Sequence, residues 1–360
     1  MQASVVASTG ERDRPRLRLC RERVNAILRV PFVRLRASDL ENTTRLLMRH
    51  ADALAGRHVL VVGADDASLC QLPAASLVLH GDDASVLSVP AALLPTVPER
   101  CDLVVVILPK SREQLAFWLA AVRGQLNTKT EVWLVGAANG GVRGGVTTLE
   151  TLADEPASQF DSARHCKLFS STLSPAPFVL AEHEQLWSLD DLAIVSYPGV
   201  FSHGRLDAGS ALLLDAMPAT GLEGAVLDVG CGAGVITAVL AQRGARVTAV
   251  DVSAAAVAAT QQTLQRNGLD GTVRLSDLYA AVEGTFDVIV TNPPFHDGTR
   301  RTTEITRRLI AEAPARLRAQ GELWLVANQG LPYGDWLREA FARVEVAAEN
   351  RHFRVWRAWR

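Results

Sequence analysis

One pattern of strands and helices occurs twice in the chain, and this repeat constrains the fold more than any other feature. The similar pairs, in chain order, are 58–63 with 225–230, 102–109 with 287–294, and 131–135 with 322–326. Apolar strands that alternate with amphipathic helices are typical of a doubly wound, parallel α/β sheet. The repeat therefore predicts an α/β protein with two copies of one fold. The alternative is that two unrelated α/β domains look alike at this level.

Length and composition fit two such domains. The chain has 360 residues, of which 48% are hydrophobic. That is long enough for two domains of about 100–200 residues, each with its own core. The apolar fraction excludes a largely disordered chain. No apolar run approaches the ~18 residues that a membrane span needs, so we expect no membrane partner.

Charge is distributed unevenly along the chain. The net charge is -2, but residues 1–36 carry nine Arg against three acids, and residues 300–360 carry twelve Arg against seven acids. The remainder is acidic, so we expect any contact with nucleic acid to be local rather than a broad cationic surface. Only three of the 37 basic residues are Lys. Arg suits bidentate phosphate contacts, although a GC-rich genome produces the same excess.

The cysteines and the first residues give weaker signals. Five widely spaced cysteines without a CxxC pair predict free thiols in a reducing cytoplasm, with neither a disulfide framework nor a metal site. Residues 1–37 are rich in Arg and lack the apolar core of a secretory signal. We interpret them as a disordered extension or as a start codon assigned too early, with a transit peptide as the alternative.

Only the second half has a glycine-rich turn after its first strand. Asp228 on that strand precedes Gly230, Gly232 and Gly234. Glycine lets the backbone approach a ligand closely and take a positive φ. A dinucleotide fold needs GxGxxG to bind a pyrophosphate, whereas an acid at this position repels pyrophosphate and attracts an ammonium or sulfonium group. S-adenosylmethionine (SAM) carries both cations, and Asp251, which ends the next strand, can accept its ribose hydroxyls.

A SAM site is therefore predicted in the second half. Asp277, which closes a further short segment, is assigned to the adenine amino group. The predicted cofactor-binding residues are Asp228, Gly230, Gly232, Gly234, Asp251, Asp277 and Asn292. The alternative is a tight turn without a ligand. In the first half the equivalent turn has one glycine, Gly63, so that half looks stripped of its site.

The segment Asn292-Pro293-Pro294-Phe295 follows a buried strand, at the edge of the sheet where ligands bind in α/β folds. The prolines remove two donors and leave carbonyl acceptors. The Asn292 amide oxygen and the Pro293 carbonyl can hold both hydrogens of a planar –NH2 group, and Phe295 can stack on a base flipped out of its helix. We predict Asn292, Pro293 and Phe295 as the catalytic residues. The alternative is a proline-stiffened turn with Phe295 in the core.

At these residues the chain resembles the SAM-dependent class I methyltransferases that modify exocyclic or amide nitrogens. Residues 227–234 resemble their first motif and residues 292–295 their catalytic motif. The segment 197–214, YPGVFSHGRLDAGSALLL, is similar to the bacterial ribosomal small-subunit methyltransferase C family, as is NPPFHDG at 292–298. The resemblance covers roughly residues 38–360.

This resemblance implies two tandem Rossmann-like, class I methyltransferase-type domains. Residues 38–188 would form the degenerate one, for substrate docking or structural support, and residues 189–360 the catalytic one. The implied activity is SAM-dependent methylation of the exocyclic N2 of a guanine in 16S rRNA, in the cytoplasm, with the small ribosomal subunit as partner. No covalent enzyme intermediate and no metal are implied.

Residues that contact the substrate are expected around the catalytic turn and in the first half. The candidates are Phe201, His203, Arg205, Arg300, Arg301 and Lys110. His203 could equally be a solvated loop histidine, and the two arginines that follow the catalytic turn could lie on a solvated helix face.

Three other readings stay open. One is methylation of a guanine N2 in 23S rRNA by a relative with the same two halves. Another is N-methylation of a protein glutamine or a DNA adenine, since those enzymes share the Asn-Pro-Pro-aromatic motif. The first half alone could be a non-catalytic RNA-binding or ribosome-assembly module.

Overall fold

Two large sheets with the same strand order organise the chain. The computed structural model describes residues 40–86, 89–219, 224–293 and 300–360, with the side chains of 300–302 excepted. All of these residues lie in one compact unit. The predicted extension at residues 1–37 lies outside the described residues.

The first sheet has six strands in the order β2-β1-β3-β4-β6-β5. The strands are β1 (His58–Val62), β2 (Ser76–His80), β3 (Leu103–Ile107), β4 (Thr130–Ala137), β5 (Ser158–Ala163) and β6 (Cys166–Leu173). Its helices are α1 (Asn42–Met48), α2 (Ala51–Leu54), α3 (Arg112–Arg123) and α4 (Val142–Glu150). Strands β1 to β4 pair in parallel, whereas β6 pairs antiparallel with both β4 and β5.

Both faces of the first sheet are covered, which explains its continuous apolar strands. On β1, Val59 and Val61 pack into one hydrophobic cluster, while Leu60 and Val62 pack into another on the opposite face. All four side chains are fully buried. A single alternating apolar face would have left every second residue exposed.

A hairpin connects the two sheets. It consists of β7 (Gln185–Leu189) and β8 (Leu192–Ser196), which pair antiparallel. Ile194 and Val195 are buried against small residues of the second half, including Ala238 and Ala259. The hairpin therefore fixes where the loop that follows it, residues 197–207, enters the second half.

The second sheet has seven strands in the order β11-β10-β9-β12-β13-β15-β14. The strands are β9 (Ala225–Val229), β10 (Arg246–Asp251), β11 (Thr272–Leu275), β12 (Phe286–Thr291), β13 (Leu317–Asn328), β14 (Arg343–Glu349) and β15 (Phe353–Trp359). Its helices are α5 (Ala208–Ala216), α6 (Val235–Gln242), α7 (Ala254–Arg266), α8 (Arg300–Arg316) and α9 (Tyr333–Ala340). Without β11, this order repeats that of the first sheet strand for strand, as the sequence repeat predicts.

The sheets are mixed rather than wholly parallel. The strand pattern in the sequence predicts a parallel doubly wound sheet, which is right for the centre of each sheet. At one edge of the second sheet, however, β15 pairs antiparallel with both β13 and β14. A tight turn can join antiparallel strands without a crossover helix, so the strand–helix alternation did not reveal this edge.

Three expectations from the sequence concern membrane spans, metal sites and cysteines. Within the residues that the structure describes, no helix is both long and apolar enough to cross a membrane. The same residues contain no cluster of three or more potential metal-ligating His, Cys, Asp or Glu side chains. The cysteines at 70, 101, 166 and 231 are free thiols.

Candidate active site

The candidate site lies at the carboxyl ends of three adjacent strands of the second sheet. Val229 of β9 pairs with Val250 of β10 on one side and with Thr291 of β12 on the other. The chain leaves β9 towards β10 and later returns to place β12 on the other side, which makes a topological switch point. The next residues of the three strands are Gly230, Asp251 and Asn292.

The glycine turn leaves open space above the end of β9. Gly230, Gly232 and Gly234 have φ values of 80°, 55° and 78°, which L side chains rarely adopt. A Cβ at Gly230 or Gly232 would meet no atom within 4 Å, whereas one at Gly234 would lie 3.0 Å from the backbone of Thr260. The first two glycines therefore face room for a ligand, and the third allows α6 and α7 to pack.

Asp251 is held in place by backbone donors on both oxygens. The Gly232 N–H donates to Oδ2 at 2.9 Å, and the Ser253 N–H donates to Oδ1 at 2.9 Å. Burial, the largest cause, raises the pKa of the Asp251 carboxyl to about 6, whereas these hydrogen bonds lower it. Each oxygen keeps a further lone pair, so the carboxylate can accept hydroxyl donors from a ribose.

Asp228 is fully buried on β9. Its Oδ2 accepts a hydrogen bond from the Thr237 hydroxyl at 2.6 Å, while its Oδ1 is buried and has no partner among the described residues. Burial raises the pKa of this carboxyl to about 7, and the charge of Asp251 adds to the rise. An unpaired buried acceptor beside the glycine turn is complementary to a cationic ligand.

Asn292 presents one oriented acceptor. Its Nδ2 donates to Asp207 Oδ2 at 2.9 Å and to Ser210 Oγ at 2.8 Å. Because a carboxylate can only accept, Asp207 fixes which side of the amide is the NH2 group. The Asn292 Oδ1 is buried without a partner among the described residues, as an acceptor for an incoming amino group would be. Pro293, the next residue, is also buried.

Asp207 and Ser210 are the residues that the motif reading missed. Both lie in the segment 197–214, so the resemblance pointed to the segment without giving these two side chains a role. Asp207 also caps α5, since its Oδ2 accepts the Ser210 N–H at 3.0 Å. A single carboxylate thus starts a helix and orients the Asn292 amide.

The candidate substrate contacts of the two halves lie in one region. A Cβ at Gly199 would lie 2.5 Å from the Gln114 amide, so the loop 197–207 packs against the start of α3. Burial lowers the pKa of His203, and the Glu113 charge of α3 opposes that shift. The His203 ring is 2.7 Å from the Ser196 hydroxyl. Lys110 is exposed two residues before α3 begins.

Of the remaining candidates, the structure describes the side chains of Phe201, Arg205 and Asp277. Phe201 is 47% exposed and Arg205 is exposed on the same loop. Asp277 follows Ser276, whose N–H donates to the Asp251 carbonyl, and its carboxylate forms a 3.5 Å ion pair with Arg308. Phe295 lies outside the described residues. Arg300 and Arg301 open α8, and their side chains are also outside the described part.

In the first half, the same turn is filled by a side chain. Gly63 follows β1 as Gly230 follows β9, and it has a φ of 74°. A Cβ at Gly63 would lie 2.6 Å from Trp118, a buried residue of α3. The space that is open above Gly230 is therefore occupied by an indole ring above Gly63.

The first half also lacks the polar groups of the site. Val62 of β1 pairs with His80, as Val229 of β9 pairs with Val250. The residues that follow, Gly81 and Asp251, therefore occupy equivalent positions. By the same comparison of strand pairing, Ile107 of the first half occupies the position of Asn292 in the second half. The first half therefore has neither a carboxylate nor an amide at these two positions.

Comparison with known proteins identifies the family. A model described as "Methyltransferase small domain" matches residues 191–357, and one described as "Methyltransferase small domain N-terminal" matches residues 44–187. The ribosomal RNA small subunit methyltransferase C of Alcanivorax borkumensis is 51% identical over 328 residues, which cover 89% of this chain and 99% of that protein. The Yersinia enterocolitica protein of the same name is 36% identical and covers 89% and 96% respectively.

The chain belongs to the ribosomal RNA small subunit methyltransferase C family. This membership confirms the family that the segments 197–214 and 292–298 predict. A solved structure supports the fold: the T. thermophilus 16S rRNA N2 G1207 methyltransferase (RsmC), in complex with AdoMet and guanosine. Its TM-score with this chain is 0.77 at 24% identity, and the match covers 90% of this chain and 93% of that one.

The fold class is confirmed as two tandem methyltransferase-type α/β domains with a degenerate first copy. The residues of the second half also fit SAM, the cofactor of this enzyme class. Open space over Gly230 and Gly232 admits a ligand, the unpaired Oδ1 of Asp228 suits a cation, and Asp251 suits a ribose.

Proposed function

We propose that the chain methylates the exocyclic N2 of a guanine in 16S rRNA of the small ribosomal subunit, with SAM as the methyl donor. The observation that carries this proposal is the Asn292 amide, whose NH2 group is engaged by Asp207 and Ser210 and whose Oδ1 is left without a partner. A guanine offers the –NH2 group that such an acceptor needs. The relatives named as ribosomal RNA small subunit methyltransferases support an rRNA substrate.

The second half holds the cofactor in this proposal. SAM, when bound, supplies a methyl group activated by its sulfonium sulfur. The turn at Gly230 and Gly232 approaches the donor without a Cβ clash, and Asp251 accepts the ribose hydroxyls. Asp228 faces the cationic part of the donor, and Asp277 is assigned to the adenine amino group.

The catalytic turn orients the amine. The Asn292 Oδ1 and the Pro293 carbonyl each accept one N–H of the guanine amino group, which turns its nitrogen lone pair out of the base plane towards the methyl group. Phe295 stacks on the flipped base. Rate comes from this alignment and from preorganised acceptors, and no side chain forms a covalent bond to the substrate.

The first half has a supporting role in the proposal. We assign residues 38–188 to substrate docking and structural support, residues 189–360 to catalysis, and residues 1–37 to an extension. Lys110 offers a cation beside the loop that carries Phe201 and His203, and Arg300 and Arg301 are phosphate contacts on α8. Since its substrate is the small ribosomal subunit, we place the protein in the cytoplasm.

A transfer experiment tests the substrate. Labelled SAM is supplied with rRNA and with small subunits from a strain that lacks this enzyme, and the modified base is located by mass mapping. We expect label on one guanine N2 of 16S rRNA. Label in 23S rRNA, in protein or in DNA would instead support one of the other readings of the Asn-Pro-Pro-Phe motif.

The variant Asn292→Ala tests the site. Removal of one preorganised acceptor is expected to lower kcat by about 10²–10³, with SAM binding retained. The matched control is Asn350→Ala, an asparagine of the β14–β15 turn whose Oδ1 caps its own turn by accepting the His352 N–H. Near-normal transfer by the Asn292 variant, with SAM bound, would show that the assignment is wrong.

A further inference from the structure

The first half reaches the cofactor site of the second half through one side chain, Asp82, in the turn after β2. Its Oδ2 accepts a hydrogen bond from the Ser253 hydroxyl at 2.7 Å, and its Oδ1 accepts one from the Ala255 N–H at 2.9 Å. Its main-chain carbonyl accepts the Ala254 N–H at 2.9 Å. All three acceptor groups of this residue are therefore engaged by the other half.

These contacts lie at the start of α7, directly after Asp251. The first N–H groups of a helix have no partner within the helix, and Asp82 accepts two of them. Ser253 accepts the N–H of Ala256 at 3.1 Å, and its own N–H donates to Asp251 Oδ1 at 2.9 Å. Asp82 thus holds Ser253, and Ser253 holds the carboxylate at the end of β10.

The backbone strengthens this link. Asp83 forms an antiparallel bridge with Ser253, and the Ala84 N–H donates to the Val252 carbonyl at 2.9 Å. The turn 251–253 is therefore fixed from one side by the glycine turn, through Gly232, and from the other side by the first half. Gly232 bonds Oδ2 of Asp251 directly, whereas Ser253, which the first half holds through its hydroxyl, bonds Oδ1.

We infer that Asp82 is a positioning residue for the methyl donor: it sets the turn 251–253 and so the carboxylate that receives the ribose. The inference rests on the proposed function, because it takes SAM as the ligand. It gives the first half, whose own turn is filled by Trp118, a function in cofactor binding that is separate from any contact with RNA. A link that merely joined the two halves would stabilise the fold and leave the affinity for SAM unchanged.

Electrostatics provide a second readout. Among the described residues, the titratable groups that interact electrostatically with Asp251 are Asp82 from the first half, Asp228 from β9 and the Cys231 thiol from the glycine turn. After burial, the charge of Asp82 contributes to the raised pKa of Asp251. The substitution Asp82→Asn keeps one oxygen acceptor and removes the charge. It should therefore lower the pKa of Asp251 and extend SAM binding to lower pH.

The experiment measures SAM binding to the full chain by calorimetry, without RNA. We expect Asp82→Ala to bind SAM about tenfold more weakly, as the loss of a helix cap at the ligand would cause. Asp82→Asn should bind as the unchanged protein does at pH 8, with the acid limb of its binding curve moved to lower pH. The control is Asp66→Ala, which removes a carboxylate that accepts the Ser68 N–H within the first half.

Each outcome decides the inference. Unchanged affinity in folded Asp82→Ala, or an equal loss of affinity in Asp66→Ala, overturns it. If Asp82→Ala does not fold, Asp82→Glu decides instead, because it keeps the charge and displaces the acceptor from Ser253 and Ala255, and an unchanged affinity for SAM in that variant overturns the inference. If the unchanged protein binds SAM but methylates no rRNA, the proposed substrate is wrong and the inference about Asp82 still holds. If the unchanged protein binds no SAM, the proposed function and the inference are both wrong.

Discussion

At the scale of single residues, the site contains two side chains with a buried oxygen that has no partner among the described residues. In Asp228 the second oxygen accepts from Thr237, and in Asn292 the amide nitrogen is engaged, so that in each case Oδ1 is the atom left unpaired. A buried polar atom without a hydrogen bond costs free energy, so such atoms are rare in folded proteins. Two of them at neighbouring strand ends indicate a ligand that supplies the missing donors.

The orientation of Asn292 can be tested through Asp207. Asp207→Ser keeps a cap for α5, but the serine side chain is too short to reach the Asn292 amide. We therefore expect kcat to fall about tenfold with SAM affinity unchanged. A tenfold fall is roughly the value of one hydrogen bond to a charged group. Asp207→Asn keeps an oxygen acceptor and should restore most of the rate. Methylation kinetics and SAM calorimetry on both variants give the comparison. Equal kcat values for the Ser and Asn variants would contradict the role.

The buried charge of Asp228 predicts a pH-dependent stability. Its pKa is about 7 in the folded protein and about 3.9 in an unfolded chain, so the folded state binds the extra proton and loses stability as pH rises between these values. Asp228→Asn removes that cost while it can still accept from Thr237. We expect it to raise the free energy of unfolding by up to about 4 kcal/mol at pH 8 and by less at pH 5.

Urea unfolding at the two pH values measures this difference, with Asp215→Asn, an exposed acid of α5, as the control. SAM binding should weaken in the Asp228 variant, so stability and function change in opposite directions. A gain in stability that is the same at both pH values would mean that the charge of Asp228 is not its cause.

At the scale of elements, the difference between the two halves lies in the turn between a strand and a helix. The turns after β1 and β9 both begin with a glycine at positive φ, yet one is covered by Trp118 and the other is open. Helix α3 provides that tryptophan, so the space over Gly63 belongs to the hydrophobic core. The two turns share a positive φ at the first glycine and differ in what covers it.

The open turn predicts an effect of Gly230→Ala. A Cβ at this position meets no protein atom but points into the space assigned to the cofactor, so SAM affinity should fall at least about tenfold. The positive φ should also cost about 1–2 kcal/mol of stability. Gly284→Ala is the matched control, because Gly284 has the same φ of 80° and equally open surroundings outside the site. Calorimetry should show weaker binding only in the Gly230 variant, and equal affinities would count against the site.

At the scale of the whole molecule, the two similar domains differ in the polar groups at their strand ends, and contacts join them at two places that bear on the proposed function. Asp82 contacts the start of α7, and the start of α3 packs against the loop 197–207. The net charge of -2 favours a local contact with RNA over a broad cationic surface. Lys110, exposed two residues before α3 begins, is our candidate for such a contact.

Lys110→Ala tests this contact. We expect weaker binding of rRNA and an unchanged affinity for SAM. The slope of log Kd against log salt concentration should fall by somewhat less than one, as the loss of one phosphate contact would cause. Lys129→Ala is the control, because Lys129 precedes the amino end of β4, whereas Lys110 follows the carboxyl end of the parallel strand β3. Lys129 is paired with Glu155. Filter binding of rRNA over a range of salt concentrations measures the slope. Identical slopes for both variants would remove Lys110 from the interface.

The sequence by itself determined the family, the duplicated α/β fold and the two motifs, because strand periodicity, glycine turns and proline-rich turns are local features. It did not reveal the antiparallel edge at β15, which needs no crossover helix, nor the part of Asp207 in orienting Asn292. Those depend on which strands and helices meet. Only the tertiary structure decided that Trp118 covers Gly63 in the first half and that Asp82 bonds the start of α7 in the second. Both contacts join residues far apart in the chain.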